Sequence, residues 1–60
     1  MMKRYELETH YGVNIKVEED DSIVNLLETA AIYLRDPECN SVKIWDLETK
    51  QQILNYEERM

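Results

Sequence analysis

Sixty residues with one Gly, one Pro and one Cys allow a single small α+β domain spanning 1–60, and they exclude a disulfide-stapled scaffold. Thirteen acidic against seven basic side chains give a formal net charge of −6, which disfavours nucleic acid as a partner because phosphate binding draws its affinity from Lys and Arg. With 43% hydrophobic residues the chain reads as globular; no stretch has membrane-spanning length or the layout of a signal peptide, so a cytoplasmic address is expected.

The first expected element is a β-hairpin from about Lys3 to Glu18. With Gly12 in the left-handed position of a three-residue loop, Thr9 faces Val13, Leu7 faces Ile15 and Tyr5 faces Val17 on one side. Glu6 then faces Lys16, and Arg4 faces Glu18, on the other. This register makes one face apolar and the other charge-complementary, as a half-buried antiparallel pair requires. The run Glu18-Glu19-Asp20-Asp21 follows. It suits the start of a helix, where the dipole and unpaired N–H groups favour negative charge, with Asp21 or Ser22 as the N-cap. Ile23, Leu26, Leu27, Ala30, Ala31 and Leu34 recur at helical spacing as one apolar stripe, and Glu28, Thr29 and Arg35 lie off it. Pro37 disfavours helical geometry at Asp36, so the helix ends near Arg35.

A polar loop from Asp36 to Ser41 leads into a second hairpin. Pairing Leu47 with Gln51 puts Ile44 opposite Leu54 and Val42 opposite Tyr56, whereas a one-residue slip sets Ile44 against Asn55. The better register requires Lys50 to take the turn position where Gly is preferred. Together these elements give ββαββ: a four-stranded antiparallel sheet of two hairpins with one amphipathic helix packed on one face. The order in which the hairpins meet is left open. The segment from Ser41 to Thr49 resembles the end of a WD-repeat blade, but it occurs once and covers nine residues. A propeller needs at least four blades, so the resemblance implies no propeller here.

The second register directs Trp45, Leu47 and Ile53 away from the helix, with Trp45 and Ile53 as cross-strand neighbours. An apolar outer patch of this kind marks an interface, and Trp is enriched among binding hot spots. Glu6, Glu8, Glu18, Glu19, Asp20, Asp21 and Glu28 offer a second surface, a negative one near the first hairpin and the helix start. It would steer a basic protein partner, or mimic nucleic acid toward a nucleic-acid-binding protein. A third reading uses Tyr5, Tyr11, Tyr33, Tyr56 and Trp45 as a stacking platform for single-stranded RNA or DNA, against which the few cations are dispersed.

Catalysis has little to stand on. His10 falls in an expected turn and Cys39 in an expected loop, with no third group to orient a nucleophile–base pair. Glu8 and His10 share a strand face but supply only two ligands where a metal site needs three or four. Gly12 is the only glycine, so no phosphate-cradling loop exists. The expectation is a non-enzymatic, cofactor-free protein-interaction module that forms a homodimer through the outer face around Trp45, with acidic binding to a basic partner as the alternative.

Overall fold

The computed structural model describes residues 3–57. Two hairpins flank one helix: β1 (Tyr5–Tyr11), β2 (Asn14–Asp20), α1 (Ile23–Leu34), β3 (Ser41–Asp46) and β4 (Gln51–Glu57). The four strands form one antiparallel sheet in the order β2-β1-β3-β4, so the ββαββ architecture is as expected. The hairpins join through their first strands, with Leu7 opposite Ile44 and Thr9 opposite Val42. Those four side chains are fully buried. They lie on the inner face with Leu26, Ala30 and Cys39.

Because β2 and β3 run parallel with β1 between them, the chain leaving β2 at one edge must cross β1 to enter β3. The helix is that crossing. It packs closely against β1, β2 and β3 and, among the described residues, not against β4.

Ser22 caps the helix. Its backbone is extended and its Oγ accepts the Asn25 N–H at 3.3 Å, while Asp20 Oδ1 accepts the Ser22 N–H at 2.7 Å. The acidic run is not in the first turn of the helix, as the sequence suggested; Glu18, Glu19 and Asp20 finish β2, and only the side chain of Asp20 reaches the helix start. The buried stripe is also narrower than expected. Ile23, Leu26, Ala30 and Tyr33 face the sheet, whereas Leu27, Ala31 and Leu34 are exposed.

The first hairpin departs from the expected register. The loop has two residues, Gly12 and Val13, so Tyr11 pairs with Asn14, Thr9 with Lys16, Leu7 with Glu18 and Tyr5 with Asp20. This is a shift of three residues, and an odd shift turns the whole strand over. Ile15 and Val17 therefore point away from the helix, Lys16 and Glu18 point toward it, and Val13 falls in the exposed turn. Gly12 holds φ at 61° as the first residue of the turn, the position for which a two-residue loop selects Gly.

Three contacts reward the alternative pairing. Lys16 Nζ sits 5.1 Å above the Tyr33 ring, the Tyr33 hydroxyl donates to Glu18, and the Gly12 N–H donates to Asn40 Oδ1. Arg4, expected opposite Glu18, is held by Asp46 instead.

The second hairpin keeps its expected register over Ile44–Leu54 and Val42–Tyr56, and Lys50 takes the left-handed position at φ 64°. A β-bulge then intervenes. Ile53 is the extra residue, so Trp45 faces Gln52 and Asp46 faces Gln51. Leu47 lies in the loop, where its N–H donates to the Arg4 carbonyl at 2.7 Å.

Asp46 organises this end of the molecule. Its carboxylate accepts from Arg4 Nη2 at 3.1 Å and Nε at 3.4 Å, and from the backbone N–H groups of Glu48 at 3.0 Å and Thr49 at 3.4 Å. Arg4 above all, then the two N–H groups, hold its pKa below the ordinary carboxylate range against the opposing effect of burial. The Ser22 N–H does the same for Asp20.

Two expectations follow. Replacing Lys50 by Gly removes the cost of a left-handed L-residue, offset by greater freedom of the unfolded chain, and should raise stability by roughly 0.5–1 kcal/mol in urea denaturation. Lowered carboxylate pKa values contribute stability above the unfolded pKa and lose it as pH falls through the folded one. Urea midpoints should therefore drop as pH falls below about 4. Asp46→Asn should start from a lower midpoint at pH 7 and show a smaller acid drop.

Candidate functional site

The alternation of β-strands fixes what the outer face displays. With Leu7 and Thr9 turned inward on β1, Glu6, Glu8 and His10 turn outward; β2 adds Ile15, Val17 and Glu19, and β3 adds Lys43 and Trp45. Trp45 and Ile44 thus occupy opposite faces, with Ile44 fully buried in the core and Trp45 half-buried outside it.

Leu47 is half-buried in the turn and Ile53 is exposed. The bulge makes Gln52, not Ile53, the direct neighbour of Trp45. The face is more apolar at its other edge than the sequence suggested, because Ile15 and Val17 are exposed on β2 and Val13 is exposed in the turn before it. Sequence reasoning missed these three. The signal was Gly12 between Tyr11 and Val13, which fits a two-residue turn as well as a three-residue one.

Charge on the outer face is organised in rows across the sheet. In one, Val17, Glu8 and Lys43 are successive cross-strand neighbours, so Glu8 stands beside a cation. Lys43 Nζ also lies 3.7 Å from Glu57. In the next row, Glu19 is directly opposite Glu6, and Glu6 is directly opposite Trp45. Like charges directly opposite one another destabilise a strand pair. Among the described residues neither Glu6 nor Glu19 takes part in an ion pair.

The seven acids singled out by the sequence do not form one continuous surface. Glu6, Glu8 and Glu19 share the outer face; Glu18 and Asp20 turn to the helix side; the Asp21 carboxylate accepts the Arg4 N–H at 2.9 Å; Glu28 stands on the exposed side of the helix.

The other chemistry-bearing residues are scattered. His10 is in β1, not in a turn, with its Nε2 atom 3.4 Å from the Glu8 carboxylate but outside hydrogen-bond geometry. Cys39 is buried in the core beneath the helix, its Sγ donating to the Ser41 carbonyl at 3.6 Å, on the other side of the sheet from the His10 ring. Among the described residues no three His, Cys, Asp or Glu side chains converge, and no pocket is enclosed. The aromatic residues share no stacking face. Tyr5, Tyr11 and Tyr33 pack against the core, the last two edge to face with centroids 6.0 Å apart.

The Glu6–Glu19 row makes a measurable statement about stability. Glu19→Lys converts a like-charge pair into an opposite pair and should raise stability by about 0.2–1 kcal/mol, read as a higher urea midpoint with unchanged slope.

Comparison with protein-family models, with curated proteins and with solved structures finds no match for the chain.

Proposed function

We propose that the chain is a non-enzymatic protein-interaction module whose outer sheet face binds a basic partner protein. The observation that carries this reading is the unbalanced Glu6–Glu19 pair abutting Trp45. A lysine or arginine of a partner laid over that row would relieve the repulsion and meet an indole face, an arrangement worth about 0.5–2 kcal/mol as a cation–π contact alone. Ile15 and Val17 on one flank and Ile53 on the other give the same face apolar contact area. Acids around an apolar anchor set orientation and raise the association rate.

A second reading keeps the same face and makes a second copy the partner, through Trp45, Leu47 and Ile53. The exposure of Ile53, and of Ile15 and Val17 at the other edge, favours it. It brings Glu6, Glu8 and Glu19 of one copy near those of the other, so the two readings respond to salt with opposite sign.

The test is affinity capture from the native cell with wild type, Glu19→Lys and Trp45→Ala as baits. The expected outcome is a basic protein retained by wild type, released between about 0.05 and 0.5 M salt, and retained at least tenfold less by both variants. Because Glu19→Lys is expected to be the more stable protein, its loss of binding reports on the face and not on folding. A partner held equally by wild type and Glu19→Lys, or held more tightly at high salt, defeats the reading.

A further inference from the structure

The helix carries a second apolar stripe that the fold does not use. Val24, Leu27, Ala31 and Leu34 repeat the spacing of the sheet-facing Ile23, Leu26, Ala30 and Tyr33 one residue later, which rotates them by about 100° around the axis. Tyr33 lies against Lys16 and Glu18 of β2. Thr29 and Tyr33 therefore mark the flank over β2, and the second stripe occupies the opposite flank, toward β4.

There, among the described residues, no helix covers the sheet, and Leu54 is only partly buried against the core. Leu54 and Tyr56 point to the helix side from β4, opposite Ile44 and Val42, and Tyr56 is 47% exposed. The spacing explains the gap: β4 lies two strands from β1, about 10 Å at 4.8 Å per strand. That equals the 8–10 Å at which helices pack side by side. A four-stranded sheet has room for two helices, and the single crossing in this chain supplies one.

We infer that a second copy of the chain fills this shelf, with the two helices side by side and parallel across a two-fold axis that runs along them, each stripe of Val24, Leu27, Ala31 and Leu34 set against the other and the two sheets on opposite sides of the helix pair. Two features select a second copy. The first is area. Exposures of 58% at Val24, 44% at Leu27, 40% at Leu34 and 47% at Tyr56, with Ala31 and Leu54, leave on the order of 400 Å² of apolar surface, within the range of functional patches. At the usual apolar share of about 57%, that is the core of roughly 700 Å² per partner, close to the 800 Å² of a standard interface.

The second is charge. Each copy carries −6, and six of its acids, Glu6, Glu8, Glu18, Glu19, Asp20 and Asp21, belong to the first hairpin and the residue that follows it, whereas the only charged residue of β4 is Glu57. A two-fold axis on the β4 side keeps the acidic edges of the two copies apart. The helix stripes then meet with little repulsion, and both outer faces remain open.

This inference goes beyond the proposed outer-face function and stands or falls separately from it. Sedimentation velocity of the full chain, from about 10 to 500 µM, is the test, with far-UV circular dichroism to confirm folding. Wild type is expected to dimerise. Leu27→Gln combined with Leu34→Gln, at positions already exposed, should weaken the dimer at least thirtyfold, while Ile53→Gln on the outer face should leave it within twofold. A wild-type monomer at 500 µM overturns the inference. So does a dimer that survives the double substitution, or one that Ile53→Gln weakens equally or more, which would move self-association to the outer face.

Discussion

The seam between β1 and β3 is the contact on which the rest of the molecule depends. Among the described residues it is the one strand pairing between the two hairpins, and it sets Leu7 against Ile44 and Thr9 against Val42 as the fully buried centre of the sheet. Both ends of the seam are tied. At one, Arg4 reaches Asp46, and the Arg4 carbonyl accepts the Leu47 N–H. At the other, the Asn40 N–H donates to the His10 carbonyl at 2.8 Å and Asn40 Oδ1 accepts from Gly12. With both ends fixed, β1 cannot slide against β3 without breaking backbone and side-chain partners together. The helix covers this seam because the chain must pass over β1 to reach β3.

That geometry divides the surface into regions of different character. The β2 edge is acidic, with its apolar residues turned outward; the β4 edge is nearly uncharged, with an unfilled space beside the helix. The outer face has an unbalanced acidic row next to an indole. In the proposed assembly these regions do separate jobs: a two-fold contact on the uncharged side presents two acidic faces at a fixed separation. Two linked copies of a weak site gain avidity only where a partner can span both.

Much of the fold was legible in the residues, and what was not has a physical cause. The second hairpin could be paired by elimination, since only one register matches Ile44 with Leu54, and parity alone placed Ile44 in the core and Trp45 outside it. The bulge at Ile53 leaves no mark in the residue types, so the true neighbour of Trp45 was hidden. The first hairpin misled because its best-looking register assumed that every apolar side chain of β2 would be covered. Coverage depends on the path of the helix, which turns a ring over β2 and so favours Lys16 and Glu18 inward. The acidic run was assigned to the helix start for an electrostatic reason that holds locally; strand pairing with Tyr5, Glu6 and Leu7 overrode it. Of the candidate site, Trp45 and Ile53 were visible and Ile15 and Val17 were not.

The bulge has one more consequence, for how this sheet ends. From Gln51 to Tyr56, β4 is an outermost strand of six residues without a charge, the kind of segment on which identical chains stack into fibrils. An extra residue at Ile53 bends and twists the strand and breaks the even spacing of its outward N–H and C=O groups. The flat run open to such stacking is thereby shortened to Leu54 through Glu57, ending on a carboxylate. The irregularity that hid the neighbour of Trp45 from a reading of the sequence is thus also a guard against uncontrolled polymerisation.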